Sequence, residues 1–452
     1  MDHSIKKRIL LLITNNYAAI NMIHSGLIKP LAEEFDVHIL SNIIDSSGLE
    51  EINRHFGIST FMVNAPIPSE SRFVKYLRRL GKLLFFHFFN IETQIIKDKQ
   101  NTYFYSFFVR SILRFLNLLG LNKDLLLFLR KRIILKTQKN DIAEYLLPYQ
   151  FSGIISSSPI DIRENTIVNT LQGSGISSLA VVISWDNLSS KGVINANHDY
   201  VLVWNQFMAD EYRRFYGIFP TVKSKIAVTG IPRFDIYFQQ NQCSVSGFRE
   251  KYKIPSNHRI ILFATSASVH FPNQADIVQH LADYISNYEH ITLIVRCHAG
   301  DNFEKYKKFE SETSIKIWHP ENIWISDLDI LQNLAEMIKN CDVCLQVAST
   351  IRLEAAACGK PVISISYDGN ASLPFSRSVR RLYEYSHQLP LNKLHIDQMV
   401  FSMKEMFTAL DQMLNCPNAS SFCRMEKIKK FTHYTSPDAV FSTMASIRKW
   451  LN

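Results

Sequence analysis

Short apolar runs recur along the chain, each followed by a polar turn and then by apolar positions at helical spacing. This alternation predicts parallel strands joined by crossover helices. In the first half the runs fall at Arg8–Ile13, Val37–Leu40, Ser59–Val63, Gly153–Ser156, Leu179–Ser184, Tyr200–Trp204 and Ile226–Thr229. Helices are expected near Ile23–Glu34, Arg163–Leu171 and Phe207–Tyr216, with a short one before Ser59. In the second half, strands are expected at Arg259–Ala264, Ile291–Arg296, Ile315–Trp318 and on either side of a helix within residues 341–368. Helices fall near Ala275–Tyr288 and Ile330–Lys339, and mainly helices follow Asp368. The fold class is α/β, with two doubly wound Rossmann-like lobes facing a cleft.

The rhythm breaks at Pro66 and Pro68, and residues 72–147 read as helices rich in Leu and aromatic residues (Phe85, Phe86, Phe88, Phe89, Tyr103, Phe104, Tyr105, Phe107, Phe108). They form a helical insertion, about 69–147, in a first lobe spanning residues 1–236. A polar run at Gln239-Gln240-Asn241-Gln242 marks a linker over 237–257. A second lobe follows at 258–435, and residues 436–452 form a C-terminal helix.

Charge changes the picture only in the insertion. The chain of 452 residues carries a net charge of +9, yet residues 69–139 hold fifteen basic residues, from Arg72 to Lys139, against four acids, so the remainder is slightly acidic. Lys and Arg interleaved with Phe and Leu on helices suit an anionic membrane surface or an anionic glycan. A solvated basic face over a Phe-rich core and an RNA-binding surface are the other readings, and no nucleic-acid partner is expected. Seven cysteines, an odd count, point to a reducing compartment rather than a disulfide framework, and Cys341-x-x-Cys344 has no second pair to complete a zinc site. The apolar run Ile9–Ile13 is too short for a signal peptide, and no stretch approaches the roughly 20 apolar residues of a membrane span. The expected location is cytoplasmic, peripheral to the inner face of the cell membrane.

The most informative segment is residues 341–368. It reads as strand, tight turn with Ser349 and Thr350, helix, Gly359 at the helix end and a second apolar strand closed by Tyr367-Asp368. The turn directs backbone N–H groups and two hydroxyls at one point, where the helix dipole favours a phosphate. Glu354 lies one helical turn deeper on the same face, placed for ribose hydroxyls. The same residues also fit an ordinary capped helix in a βαβ unit.

A second loop, Ser184-Trp185-Asp186-Asn187-Leu188-Ser189-Ser190-Lys191-Gly192, follows a first-lobe strand and should face the cleft. Asp186 is a candidate general base for an acceptor hydroxyl, with Trp185, Asn187 and Lys191 beside it; a self-bonded Asp/Asn turn is the alternative. In the second lobe, Arg296 and His298 at a strand end could neutralise a leaving diphosphate. Ser266 and His270 sit in a small-residue loop suited to close approach by a phosphate. In the first lobe Asn16, Tyr17, His24 and Ser25 lead into the first helix, at a place that resembles the one where GT-B enzymes contact donor phosphate or acceptor. There is no Gly-x-Gly-x-x-Gly fingerprint and no Gly-x4-Gly-Lys-Ser/Thr loop, so neither NAD use nor ATP hydrolysis is expected; the expectation is also of no resident metal or cofactor.

Ser349-Thr350, Glu354, Gly359-Lys360-Pro361-Val362 and Tyr367-Asp368 resemble the donor-nucleotide segment of GT-B glycosyltransferases. Leu-Glu-Ala-Ala-Ala-Cys-Gly-Lys-Pro-Val is similar to retaining members, whereas Ser-Thr-x3-Glu ending in Tyr-Asp is similar to CDP-glycerol glycerophosphotransferases. Two departures stand out: Gln346 occupies the place of a second glutamate in the retaining pattern, and Ala299 replaces the Pro of a glycerophosphotransferase His-Pro. Ser-Trp-Asp-Asn-Leu-x2-Lys-Gly, Asp-Tyr-Val-Leu-Val-Trp-Asn at 199–205 and Thr-Gly-Ile-Pro-Arg-Phe-Asp at 229–235 resemble bacterial surface-polysaccharide biosynthesis proteins. The resemblance implies a metal-independent transferase that moves a sugar from a nucleotide-sugar to a glycan or lipid-linked acceptor, with the C-terminal helix crossing back onto the first lobe. It also leaves open a CDP-polyol phosphotransferase, a nucleotide-sugar epimerase, and a non-catalytic glycan- or lipid-binding scaffold.

Overall fold

The computed structural model describes residues 6–100, 111–116, 118–240, 244–320, 328–415 and 421–452. Two wholly parallel sheets carry the fold. The first, in the order β3-β2-β1-β4-β5-β6-β7, joins β1 (Arg8–Ile13), β2 (Asp36–Ser41), β3 (Phe61–Met62), β4 (Gly153–Ser156), β5 (Ser178–Val181), β6 (Tyr200–Val203) and β7 (Lys225–Val228). The second, in the order β10-β9-β8-β11-β12-β13, joins β8 (Arg259–Ala264), β9 (Ile291–Arg296), β10 (Ile315–Trp318), β11 (Val343–Gln346), β12 (Val362–Ile365) and β13 (Gln398–Val400). Central strands such as β4, β5, β9 and β12 are buried at every position, as parallel strands covered by helices on both faces must be. Strand order reverses between β1 and β4 and again between β8 and β11, and ligand crevices open beyond the carboxyl ends at such points.

Four expectations need correction. The helix expected at Ile23–Glu34 is a short helix at Asn16–Ala19, a π-type turn at Ile20–His24 and a helix at Ile28–Glu34, because Gly26 takes a left-handed φ of +79° between them. Strand β13 escaped the sequence pattern; three residues on a sheet edge leave no periodicity to detect. The segment 237–257 is not a bare linker: it includes a helix at Val245–Lys251 whose Phe248 is fully buried in a cluster with Tyr237, Ile254 and Ile260, and Asn241 and Gln242 lie outside the described residues.

The fourth concerns the insertion. Phe85, Phe86 and Phe89 form core where the helix Arg72–Phe88 packs on Asn122–Thr137, and Arg130 is buried, donating to Ile194 O (3.1 Å) and Ala196 O (2.7 Å). The outward rings are Phe73, Tyr76, Phe115 and Phe128, set among exposed Arg72, Lys75, Arg79, Arg114, Lys123, Lys131 and Arg132. Tyr103, Phe104, Tyr105, Phe107, Phe108 and Arg110 lie outside the described residues.

The C-terminal helix Ala439–Leu451 packs on the first lobe: Met444, Ile447 and Trp450 join the cluster around β1 and β5. Trp450 Nε1 donates to Ser177 Oγ at 2.9 Å, and a Cβ on Gly153 would stand 2.5 Å from the Trp450 ring, so only glycine lets that ring reach β4. No helix among the described residues is long and apolar enough to cross a membrane.

Candidate functional site

Loops from the carboxyl ends of both sheets surround one cavity of about 600 Å³. Tyr17, Trp185, Asp186, Asn187, Lys191, Ser266, His270, Arg296, His298, Ser349, Thr350 and Glu354 all line it. Asn16 does not; its neighbour Asn15, which caps the first helix by accepting from Ala18 N, does. His24 and Ser25 line a separate cavity behind Pro232 and Asp235, because the π-type turn rotates them away from the cleft.

The nucleotide-type turn is held from below. Gln346 is fully buried at the end of β11; its Oε1 accepts from Ser349 N (2.7 Å) and its Nε2 donates to Ser364 Oγ (2.5 Å). Ala348 takes a left-handed φ of +43°, a conformation strained for a residue with a Cβ. It is fixed there by Tyr383 Oη, which accepts from its N–H (3.0 Å), and by Gln388 Nε2, which donates to its carbonyl (2.9 Å). Gln346 therefore shapes the turn instead of presenting a carboxylate to the cleft. Contrary to the sequence expectation of several open amides, the turn satisfies most of its own: Arg352 N–H bonds Ser349 O and Leu353 N–H bonds Thr350 O. An anion here meets chiefly the Ser349 and Thr350 hydroxyls.

Beneath the turn lies a buried polar network. The Arg352 guanidinium donates to Asp397 (2.8 Å), Gln388 Oε1 (3.0 Å) and Asn392 Oδ1 (2.9 Å), and Ser364 donates to the same aspartate. The side chains of Arg352 and Asp397 are 0% and 2% exposed.

On the first-lobe side, Asp186 Oδ1 accepts from Ser184 Oγ (2.7 Å) and Oδ2 pairs with Lys191 Nζ (3.2 Å). Burial pushes its carboxyl up, but its partners, chiefly the Lys191 ammonium, outweigh that and hold it below the ordinary carboxylate value. It is thus ionised at neutral pH and can accept a proton. His387, its neighbour from the second lobe, is pushed down to about 4 by burial and stands neutral, edge-on to Trp185 with ring centroids 5.4 Å apart. A deeper carboxylate, Glu164, accepts from Ser156 Oγ (2.7 Å) and Ser158 N (2.8 Å) and lies 2.8 Å from Thr14 Oγ1. Burial pushes it up to about 7, and it ties together the loops that carry Asn15 and Ser158 to the cavity.

In the second lobe, His298 Nδ1 accepts from Gly300 N (2.8 Å), which places the ring proton on Nε2. Burial lowers its pKa, so the ring is neutral and acts as a hydrogen-bond donor, not a cation. The Arg296 guanidinium lies 3.9 Å over the Trp318 ring in the cavity wall.

Four contributors were missed from sequence: Lys97, Tyr385, His387 and Arg233. The insertion helix Glu92–Gln100 bonds the second lobe through Thr93 and Ser386 (Ser386 N to Thr93 Oγ1, 2.9 Å), forming a strap across one side of the cleft and placing Lys97 in the cavity. Lys97 carries no local motif; only the count of basic residues hinted at it. Tyr385 and His387 come from the helical region after Asp368, where nothing in the pattern marked them. Arg233 belongs to Thr-Gly-Ile-Pro-Arg-Phe-Asp, a motif noticed in the sequence without a role. The sequence also contains one Asp-x-Asp triplet, Asp327-Leu328-Asp329, whose first residue lies outside the described residues. Among the described residues no group of three or more His, Cys, Asp or Glu could hold a metal ion.

Residues 160–318 match the family described as CDP-Glycerol:Poly(glycerophosphate) glycerophosphotransferase, a stretch that includes the Asp186 loop and His298. A curated relative, the teichoic acid glycerol-phosphate primase of Bacillus spizizenii, is 25% identical over 203 residues, covering 44% of this chain. The matched stretch spans about half, 47%, of that relative's length. A Staphylococcus aureus MnaA–UDP structure superposes with a TM-score of 0.57 at 12% identity, covering 99% of this chain and 97% of the other. The chain has the GT-B fold. UDP-GlcNAc 2-epimerase from Neisseria meningitidis bound to UDP-GlcNAc (TM-score 0.52, 10% identity, 98% and 100% covered) and a glycosyltransferase from Rickettsia africae (0.53, 13%, 99% and 99%) share this GT-B arrangement. The chain is thus a GT-B protein similar to CDP-glycerol glycerophosphotransferases.

Proposed function

We propose that this protein is a metal-independent transferase of surface-polysaccharide synthesis that moves a sugar from a nucleotide-sugar to a glycan or lipid-linked acceptor. One observation carries the reading: Ser349, Thr350 and Glu354 of the second lobe line the same cavity as an ionised Asp186 of the first. In this reading Glu354 receives the ribose, the two hydroxyls with Arg296 and the Nε2–H of His298 receive the diphosphate, and Asp186 takes the proton from the acceptor hydroxyl as the bond to the donor forms. The UDP and UDP-GlcNAc complexes among the structural relatives support a uridine donor. A second reading, transfer of a phosphopolyol from a CDP donor, is favoured by the family match and the primase relative.

A thermal-shift panel of UDP, CDP, CMP, GDP and TDP separates the two. A ligand at 100 times its Kd stabilises by about 2.7 kcal/mol. Stabilisation by UDP is expected; stabilisation by CDP alone selects polyol-phosphate transfer, and no shift with any nucleotide leaves the binding-only scaffold. Glu354→Gln is expected to raise the donor KM with kcat changed little, measured by steady-state kinetics.

The exposed Phe73, Tyr76, Phe115 and Phe128 among basic residues support docking of the insertion on an anionic membrane, where a lipid-linked acceptor would be found. Co-sedimentation with vesicles containing anionic lipid should be strong at low salt and fall as salt screens the Lys and Arg charges. Absence of binding to such vesicles would remove this part of the proposal.

A further inference from the structure

The turn after β7, Gly230-Ile231-Pro232-Arg233-Phe234-Asp235, is where the first lobe, the second lobe and the C-terminal helix meet. Gly230 has a φ of +76°, and a Cβ there would stand 2.8 Å from the Tyr434 ring and 3.1 Å from Thr432 O, so the turn needs glycine on both conformational and steric grounds. Asp235 reaches one way: its carboxylate accepts from the N–H groups of Ala439 (3.1 Å) and Val440 (2.9 Å) at the start of the C-terminal helix. Arg233 reaches the other way, across the lobes. Its Nη1 lies 2.5 Å from Glu354 Oε1, with the two side chains 11% and 2% exposed, and its guanidinium sits over the rings of Phe234 (5.0 Å) and Trp204 (5.8 Å).

The other oxygen, Glu354 Oε2, is buried in the cavity wall and has no hydrogen-bond partner among the described residues. A buried carboxylate oxygen without a donor is unfavourable, and a ligand that brings a hydroxyl to it relieves that. The guanidinium takes up one carboxylate oxygen and fixes the direction of the other, and hydrogen bonds to a group of such a pair are charge-assisted. We infer that Arg233 is the positioning residue of the donor site: it holds Glu354 from the opposite lobe so that Oε2 meets the ribose diol. This rests on the reading of Glu354 as the ribose carboxylate and deepens it. Because the two partners sit on different lobes, the diol site is complete only when the lobes are together.

The test is calorimetric binding of UDP and CDP and of their 2′,3′-dideoxy counterparts to wild type, Arg233→Gln, Arg233→Lys, Glu354→Gln and the Arg233→Gln/Glu354→Gln pair. Removing a hydrogen bond to a charged group is expected to weaken ribonucleotide binding by about tenfold or more in each single Gln variant. Dideoxynucleotide binding should stay at the wild-type value. The double variant should bind no more weakly than Glu354→Gln alone, because both changes remove one interaction, and Arg233→Lys should recover part of the loss. Wild-type affinity in Arg233→Gln, additive losses in the double variant, or equal weakening of ribo- and dideoxynucleotides would each overturn the inference. If Glu354→Gln itself binds ribonucleotides like wild type, or wild type binds neither nucleotide, the ribose reading fails and this inference with it. Loss in Glu354→Gln with none in Arg233→Gln overturns only the role of Arg233.

Discussion

Asp186→Asn is expected to lower kcat by about 10²–10⁴-fold while leaving the donor KM within a few fold, since positioned proton transfer contributes that range. The substitution preserves the shape of the loop: an amide oxygen still accepts from Ser184, and the π-type turn Asn187–Lys191 remains packed through Asn187, Leu188, Ser189 and Ser190. What it removes is the charge that takes the proton. The wild-type pH profile follows from the same group. Asp186 is held below the ordinary carboxylate value, so the base form is present throughout the neutral range and kcat/KM should fall only in acid, as pH drops through that lowered value. In Asp186→Asn this acid limb should disappear. Steady-state kinetics over pH decides the matter: an unchanged kcat would take the proton transfer away from Asp186, and a lost kcat with donor KM raised in proportion would make it a binding residue. Lys191 loses its partner in Asp186→Asn, so Lys191→Gln, which breaks the same pair but keeps the carboxylate, is the control for electrostatic disturbance alone.

The second large effect is on stability. Arg352→Ala should destabilise the second lobe by about 3–5 kcal/mol, because removing one partner of a buried ion pair leaves the other charge uncompensated. Asp397 would keep its bond from Ser364 but lose the guanidinium, and Gln388 and Asn392 would each lose a donor. The damage should reach the cleft, since Gln388 also holds the strained Ala348 carbonyl. Donor KM is therefore expected to rise along with the loss in melting temperature. Replacing both charges, as in Arg352→Met/Asp397→Leu, should recover stability relative to Arg352→Ala, because the pair is costly chiefly when half of it remains. A melting temperature for Arg352→Ala equal to wild type, followed by calorimetry, would show that the network contributes nothing net.

Much of the fold was legible in the chain because it depends on local patterns. The apolar runs of β1, β4, β6, β8 and β9 lie within one or two residues of their expected places, since a strand buried on both faces must be apolar throughout. The small-residue and charged loops that follow those strands were legible for the same reason: a parallel sheet presents its carboxyl ends to the crevice, so position after a strand already implies position at the site. Asp186 after β5, His298 after β9 and Ser349 after β11 were found in that way, and Glu354 by its helical spacing from Thr350.

Other features were decided only by the packing of distant segments. Gln346 differs from a glutamate by one group, and its role under the turn depends on Ser364 from β12. His24 looked like a cleft residue until a π-type turn and Gly26 rotated it into another cavity. Basic residues of the insertion were indistinguishable in sequence, yet folding buried Arg130, set Lys97 in the cleft and left Arg72 and Lys131 in solvent. Arg233 and Glu354 stand 121 positions apart, and no local pattern couples residues at that separation. Sequence periodicity thus specified which strands form and which loops follow them, because those choices rest on neighbours in the chain. The partner of each charge was set by tertiary structure, because an ion pair forms between whichever groups the folded backbone brings within reach.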